Sequence, residues 1–207
     1  HPDVPAISFT GGTVTGTHVN REAAGQFKKV SLELGGKNPN LVFADCDFDE
    51  ALDTTVRSSF SNQGQICLCG SRILVERPLY ERFTEALVAR ARALVIGDPA
   101  DRATQVGSLI SEAHRAKVEG YVLLAQQEGG TVRGGERPAG LPARLSRGAF
   151  LTPAVITDLP ASSRCLAEEI FGPVVTVTPF DTDAEAARLA NSTAYGLSAT
   201  VWTRDLA

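Results

Sequence analysis

The sequence predicts an α/β fold, in which strands and helices alternate along the chain. Short apolar runs recur between segments with the apolar spacing of helices, and paired glycines separate several of them. Apolar residues make up 43% and charged residues 21% of the 207 positions, values that are typical of a folded globular protein. At about 150 residues per domain, this length indicates one large domain, alone or with part of another.

The first residues predict a strand, a helix and a second strand. A strand is expected over residues 6–10, where an apolar run stops at Gly11, and a helix follows as far as Phe27. In the second strand, over residues 30–34, apolar and polar residues alternate. Glu33 therefore leaves the face opposite to the apolar residues of that strand.

The rest of the chain predicts further strands and four helices. Phe48, Leu52, Val56 and Phe60 recur every fourth residue, which indicates a helix with one buried stripe, and Asp47 can cap its start. Similar patterns predict strands at 41–43, 153–157, 174–179 and 198–202, helices at 79–95, 118–125 and 184–190, and an exposed loop over the Gly-, Pro- and Arg-rich residues 134–148.

Charge and composition argue against several classes of protein. The net charge is −4, whereas a nucleic-acid or anionic-membrane surface needs clustered Lys and Arg, and no apolar run approaches the roughly 18 residues of a membrane span. No second cysteine pair follows Cys67-Leu68-Cys69, and the three histidines are scattered, so we expect no metal site. The four cysteines are expected to be free thiols of a cytoplasmic protein.

The chain contains no methionine and begins at His1, without the charged and apolar regions of a signal peptide. We therefore expect it to be an internal piece of a longer protein. Its apolar faces would then lack part of their packing partners, which predicts that the isolated chain aggregates and has no activity of its own.

Four features could carry chemistry, and each has a structural alternative. The turn over residues 11–16 lies between a strand and a helix, where phosphate binds, but its glycine spacing also suits an ordinary tight turn. Cys67 could be a small buried residue, although its polar, Gly-rich neighbours favour an accessible thiol. Glu33, and likewise the pair Glu168 and Glu169, could simply face solvent.

The order of these strings along the chain resembles the NAD(P)-dependent aldehyde dehydrogenase superfamily. The resemblance extends from about residue 7 to residue 203. It rests on Phe9-Thr10-Gly11-Gly12-Thr13, Leu32-Glu33-Leu34-Gly35-Gly36-Lys37-Asn38-Pro39, the Gly-Gln-x-Cys string at 64–67, Glu168-Glu169-Ile170-Phe171-Gly172-Pro173, Asn191 and Tyr195-Gly196-Leu197. The string around the cysteine looks most like the branch that oxidises 2-aminomuconic and 2-hydroxymuconic semialdehydes.

The resemblance implies that Cys67 is the nucleophile and Glu33 the general base. A thiolate adds to an aldehyde carbon, the resulting thiohemiacetal yields a hydride and a thioester, and a carboxylate activates the water that hydrolyses the thioester. A non-catalytic relative that kept the fold and a thiol hydrolase that uses Cys67 without nicotinamide are the alternatives. The presence of both Cys67 and Glu33 speaks against the non-catalytic relative.

The resemblance also implies a cofactor site for NAD, with NADP not excluded. The implied contacts are Gly11, Gly12, Gly16, Leu34, Glu169 and Phe171. Gly12 stands where the family usually has a serine, which removes one hydroxyl donor to phosphate. An upstream asparagine and lysine of the family have no counterpart in the sequence before residue 7.

The implied fold is aldehyde dehydrogenase-like, with a catalytic domain and a remnant of a Rossmann-type cofactor domain. We expect residues 1–36 to be the C-terminal remnant of the dinucleotide-binding domain and residues 37–207 the catalytic domain, incomplete at its C-terminus. The expected partner is a small-molecule aldehyde, and the parent protein is expected to be a homodimer or homotetramer.

Overall fold

A computed structural model describes residues 1–205, which form a small and a large sheet with helices between their strands. The strands are β1 (Ala6–Thr10), β2 (Lys29–Glu33), β3 (Pro39–Val42), β4 (Arg72–Glu76), β5 (Thr131–Arg133), β6 (Ala154–Thr157), β7 (Val174–Phe180) and β8 (Thr200–Trp202). The helices are α1 (Thr13–Ala24), α2 (Phe48–Phe60), α3 (Arg77–Arg92), α4 (Glu112–Gln127), α5 (Arg164–Ala167) and α6 (Asp183–Ala190). The predicted α/β fold is confirmed.

The small sheet consists of β1 and β2, which run parallel and are joined by α1. In both strands half-buried and exposed residues alternate, as the apolar pattern predicts, and Glu33 lies on the exposed face of β2. Of residues 1–33, Gly16 and Ala23 alone are buried.

The large sheet has the strand order β5-β6-β7-β4-β3-β8, and every pair of neighbours is parallel except β5 with β6. Helices cover both of its faces: in β4, Ile73 and Val75 join the core beneath α2 and α3, whereas Leu74 packs beside α6. A sheet covered on both faces needs strands that are apolar on both sides, which explains why these three successive residues are buried.

Side chains at the helix starts explain where several helices begin. Asp47 accepts a hydrogen bond from the Glu50 amide at the start of α2, which confirms the predicted cap. Ser111 caps α4 and Thr182 caps α6 in the same way. These caps satisfy amides that have no partner inside the helix.

Some predicted boundaries were wrong. The first helix ends at Ala24 instead of Phe27, which adopts a left-handed φ of 50°. The third helix ends at Arg92 instead of Val95, because the carbonyl of Val95 accepts hydrogen bonds from the returning chain at Gln105 and Val106. Strands β4 and β5 and the short helix α5 were not predicted.

Candidate active site

One cavity of about 530 Å³ brings together most of the predicted site residues. Its lining contains seven of them: Gly11, Gly12, Glu33, Leu34, Cys67, Glu169 and Phe171. Thr10, Gly35, Gln65, Ile66, His114 and Lys117 complete the lining. Gly16 lies outside it and packs against Leu34, whose side chain would overlap a Cβ at position 16.

The cavity lies at the amino ends of three neighbouring strands of the large sheet. Cys67 precedes β4, Phe171 precedes β7 and Gly35 precedes β3, and these strands are neighbours in the order β7-β4-β3. The carboxyl end of β2 supplies Glu33 from the other side. The small sheet therefore faces the cavity with the carboxyl end of a strand, and the large sheet faces it with the amino ends of its strands.

The turn before Cys67 has an unusual backbone. Asn62, Gln63 and Gly64 all have positive φ, at 49°, 57° and 69°. A Cβ at position 64 would overlap the carbonyl oxygen of Gly172, so glycine is required there for packing as well as for conformation. Non-glycine residues in this region are strained, and such strain concentrates at functional sites.

Asn38 ties the segment from Cys67 to Cys69 to the start of β3. Its side-chain amide donates to the carbonyl oxygens of Cys67 at 2.7 Å and Cys69 at 3.0 Å, and its own oxygen accepts from the Ser198 amide. Asn38 is 4% exposed, so these bonds are shielded from water. The backbone from the half-buried Cys67 to Cys69 is therefore anchored.

Gly35 and Gly36 fill the narrow space between Glu169 and Cys67. The Gly36 amide donates to Oε1 of Glu169 at 3.1 Å. A Cβ at position 35 would overlap the Glu169 carboxylate, and one at position 36 would lie 2.7 Å from the Cys67 carbonyl oxygen. The double glycine thus lets the carboxylate and the cysteine backbone approach from opposite sides.

The neighbouring glutamates 168 and 169 differ in what they contact. Hydrogen bonds from Arg164 and then Tyr121 hold the pKa of Glu168 at about 2, and it does not line the cavity. Glu169 lines the cavity and is bound by the Gly36 amide. The alternative in which both are solvent-facing is therefore wrong for Glu169.

The start of α1 fits a phosphate-bearing ligand. Gly12 caps this helix without a side-chain hydrogen bond, and a Cβ there would meet nothing within 4 Å. The first-turn amides and the positive end of the helix dipole are therefore free to face an anion. Together with the cavity-lining Glu169 carboxylate, which can accept from ribose hydroxyls, this suits a dinucleotide.

Lys37 is a buried cation directly after the double glycine. It is 1% exposed, its Nζ has no hydrogen-bond partner, and burial lowers the pKa of its amine to about 7. The charges of Cys165, Glu169 and Glu168 oppose this shift, whereas Arg72 adds to it. Lys37 is therefore a buried amine without a hydrogen-bond partner, directly after the double glycine that lies beside the cavity.

Several of these residues were not among the sequence candidates, including His114, Lys117, Gln65 and Asn38. His114 and Lys117 are three positions apart on α4, which puts them on the same helix face as Val118. Asn38 and Gln65 lie within the motifs that carry the family resemblance, but those motifs do not indicate which backbone groups their side chains bind.

Within residues 1–205, no group of three or more His, Cys, Asp and Glu side chains could hold a metal ion. Over the same range, no helix has both the length and the apolar character needed to span a membrane. The four cysteines are free, and burial raises the pKa of Cys46, Cys69 and Cys165.

The fold and the cavity define a class: an α/β protein with an accessible thiol, two carboxylates and a phosphate-compatible helix start around one site. The model of the aldehyde dehydrogenase family matches residues 1–207. The chain belongs to the aldehyde dehydrogenase family.

Relatives and solved structures agree with this assignment. The chain is 50% identical to 2-aminomuconic semialdehyde dehydrogenase of Mus musculus, over 100% of the chain and 43% of that protein. It is 48% identical to 2-hydroxymuconic semialdehyde dehydrogenase of Pseudomonas sp. (strain CF600), over 99% of the chain and 42% of that protein. The chain thus spans less than half the length of these relatives.

The crystal structure of betaine aldehyde dehydrogenase from Staphylococcus aureus in complex with NAD+ matches with a TM-score of 0.93 and 42% identity, over 100% of the chain and 41% of that structure. The crystal structure of HpcC from Thermus thermophilus matches with a TM-score of 0.94 and 46% identity, over 100% of the chain and 40% of that structure.

Proposed function

We propose that the protein containing this chain oxidises an aldehyde to a carboxylic acid with NAD+, or with NADP+, through a covalent intermediate on Cys67. The observation that carries the proposal is the meeting of Cys67, Glu33 and Glu169 around one cavity, although they come from three separate segments. Family membership supports the same chemistry.

Cys67 acts as the nucleophile. Its thiolate forms a carbon–sulfur bond with the aldehyde carbon, which leaves a tetrahedral thiohemiacetal. When bound, the nicotinamide cofactor accepts the hydride that the thiohemiacetal loses as it becomes a thioester. Asn38 donates to the carbonyls of Cys67 and Cys69, which anchors the backbone at the cysteine, so the thiol need not reorganise between these steps.

Glu33 acts as the general base for hydrolysis. Its carboxylate accepts a proton from water, the water oxygen bonds to the acyl carbon, and the carbon–sulfur bond breaks with its electron pair returning to Cys67. Its place at the exposed end of β2 keeps the carboxylate in contact with water and at the cavity.

In this proposal the cofactor is held by Glu169, Phe171, Leu34 and the glycines at the start of α1. Glu169 would accept from ribose hydroxyls, the first-turn amides that follow Gly12 would face the pyrophosphate, and Phe171 would contact the nicotinamide side. Gly16 contributes indirectly, because its lack of a side chain lets Leu34 pack against α1.

A muconic semialdehyde is the proposed substrate class. The mouse 2-aminomuconic semialdehyde dehydrogenase is 50% identical to the chain, and a 2-hydroxymuconic semialdehyde dehydrogenase of Pseudomonas putida is 47% identical. Ile66 and Leu68, which flank Cys67, are 38% and 57% exposed and can contact the aldehyde.

We further propose residues 1–36 as part of the dinucleotide-binding domain and residues 37–207 as part of the catalytic domain. The change from the small to the large sheet falls between β2 and β3, which supports a boundary near residue 36. A cytoplasmic location and a homodimer or homotetramer complete the proposal for the whole protein.

Substitution of the two reactive residues in the full-length protein tests the proposal. Cys67→Ala should abolish aldehyde-dependent NADH formation, by at least about 10⁴-fold, because no other group can form the covalent intermediate. Cys69→Ala is the matched control, since this buried thiol lies two residues away and does not line the cavity. Retained turnover in Cys67→Ala would refute the proposal.

Glu33→Gln should separate the two half-reactions. The acyl-enzyme still forms, so a rapid burst of NADH equal to the enzyme concentration is expected, followed by slow turnover. Mass spectrometry should then detect the acyl group on Cys67. Unchanged steady-state turnover would remove Glu33 from the role of base.

A further inference from the structure

Phe171 lines the cavity with a backbone conformation that a phenylalanine rarely adopts. Its φ is 59°, in the left-handed region that favours glycine. A bulky residue stays there only where surrounding contacts hold it, so Phe171 needs an identifiable restraint.

His114 supplies a direct contact to this residue. Its Nε2 lies 2.6 Å from the carbonyl oxygen of Phe171. Because a carbonyl can only accept, Nε2 must carry the proton and donate it. The two rings also meet edge to face, with centroids 6.0 Å apart and an interplanar angle of 76°.

The first turn of α4 fixes the position of His114. The Ser111 hydroxyl accepts from the His114 amide at 3.1 Å, and the ring is half-buried at the cavity wall. One turn further along the helix, Val118 contacts the next residue of the Phe171 segment, Gly172, where a Cβ would lie 2.7 Å from a Val118 methyl group. Helix α4 thus contacts two successive residues of that segment.

The backbone conformation of Phe171 affects both the position of its own ring in the cavity and the packing of the turn before Cys67. On one side it sets where the Phe171 ring lies in the cavity, two residues after the Glu169 carboxylate. On the other side it sets the Gly172 carbonyl, which packs directly against Gly64 in the turn before Cys67. A return of Phe171 to negative φ would therefore move the ring and the support of the cysteine turn together.

We propose that His114 is a positioning residue, which holds Phe171 in its left-handed conformation so that the ring is preorganised against the nicotinamide end of the dinucleotide. The proposal rests on the proposed function for the identity of the ligand. His114 touches neither the aldehyde nor the reacting sulfur in this role; it acts through the Phe171 carbonyl.

Binding of NAD+ to the full-length protein, measured by calorimetry, tests this role without turnover. His114→Leu and the smaller His114→Ala both remove the donor, and each should raise the Kd for NAD+ roughly ten-fold, the factor that corresponds to one hydrogen bond. His114→Gln keeps an N–H donor at the end of its side chain and should stay within about two-fold of the parent protein. Gln126→Leu, at an exposed position of α4, is the control.

In steady-state kinetics, His114→Leu and His114→Ala should raise the KM for NAD+, whereas kcat should change less. A merely structural role would lower Tm in all three His114 variants and leave the Kd of the folded protein unchanged. That result, or failure of His114→Gln to restore binding, would overturn the proposal. If the parent protein binds NAD+ but oxidises no aldehyde, the proposed function fails, and the Kd values still decide the role of His114.

Discussion

The β1–α1–β2 unit and the large sheet each contribute one residue to the proposed reaction, but they hold it in different ways. Of residues 1–33, Gly16 and Ala23 alone are buried, and Glu33 stands at an exposed strand end. The large sheet has cores on both faces, and its cysteine turn is held by Asn38 and by the packing of Gly64.

This difference matches the two proposed chemical roles. A nucleophile must meet the substrate carbon within a few tenths of an ångström, so dense packing around Cys67 has a direct benefit. A general base acts through a water molecule and tolerates a looser position. The tightly packed part of the chain therefore holds the proposed nucleophile, and the open part holds the proposed base.

Matched phenylalanine substitutions test the comparison with the largest expected effect. Phe83 is 0% exposed in the core beneath α2 and α3, and Phe83→Ala should cost about 3–5 kcal/mol of unfolding free energy. Phe27 is 97% exposed, and Phe27→Ala should stay within about 0.5 kcal/mol. Urea unfolding of the full-length protein measures both. Equal losses would mean that Phe27 is covered in that protein.

Glycine substitutions test how strongly packing positions Cys67. Gly64→Ala places a Cβ against the Gly172 carbonyl at a φ of 69°, so the turn must shift, and kcat/KM should fall about 100-fold. Gly120→Ala, at an open helical site in α4, should instead add about 0.5–1 kcal/mol of stability with unchanged activity. Normal activity in Gly64→Ala would show that the turn tolerates displacement.

A third test concerns Lys37 at the junction of the two units. Its folded-state pKa of about 7 lies below the ordinary value near 10.4, so between these pH values the unfolded chain binds the extra proton. Stability attributable to Lys37 should therefore rise with pH, by up to about 1.4 kcal/mol per unit, and reach its minimum below pH 7.

Lys37→Met removes this amine while keeping most of its volume. We expect a gain of about 1–3 kcal/mol near pH 7 and a flatter dependence of the free energy of unfolding between pH 7 and 9. Thermal unfolding of both proteins across that range measures the difference. An identical slope in the two proteins would show that Lys37 does not titrate there.

Elements with a single buried face were predictable from the sequence. The four-residue repeat from Phe48 to Phe60 and the alternation in β2 both report one-sided burial. Strand β4 shows no alternation, and it was missed because the charged residues Arg72 and Glu76 leave only three apolar residues between them. Arg72 is satisfied by carbonyls at Lys37, Leu189 and Ala190, partners that lie far away in sequence.

The candidate site was predictable only as separate strings. Their neighbours in sequence single out Cys67, Glu33 and Glu169. These residues are 34 to 136 positions apart, and only the order of strands in the folded sheets brings them to one cavity. His114 and Asn38 were missed because each acts on a backbone carbonyl, and such a partner leaves no residue-type signal.

The crowding at Gly35, Gly36 and Gly64 has a consequence for redesigning substrate range. These positions leave no volume for even one methyl group, so a combinatorial library that varies them would be filled with inactive clones. Ile66 and Leu68, on either side of the thiol, are exposed and lie outside that crowding. Directed evolution toward new aldehydes should therefore diversify these two positions first.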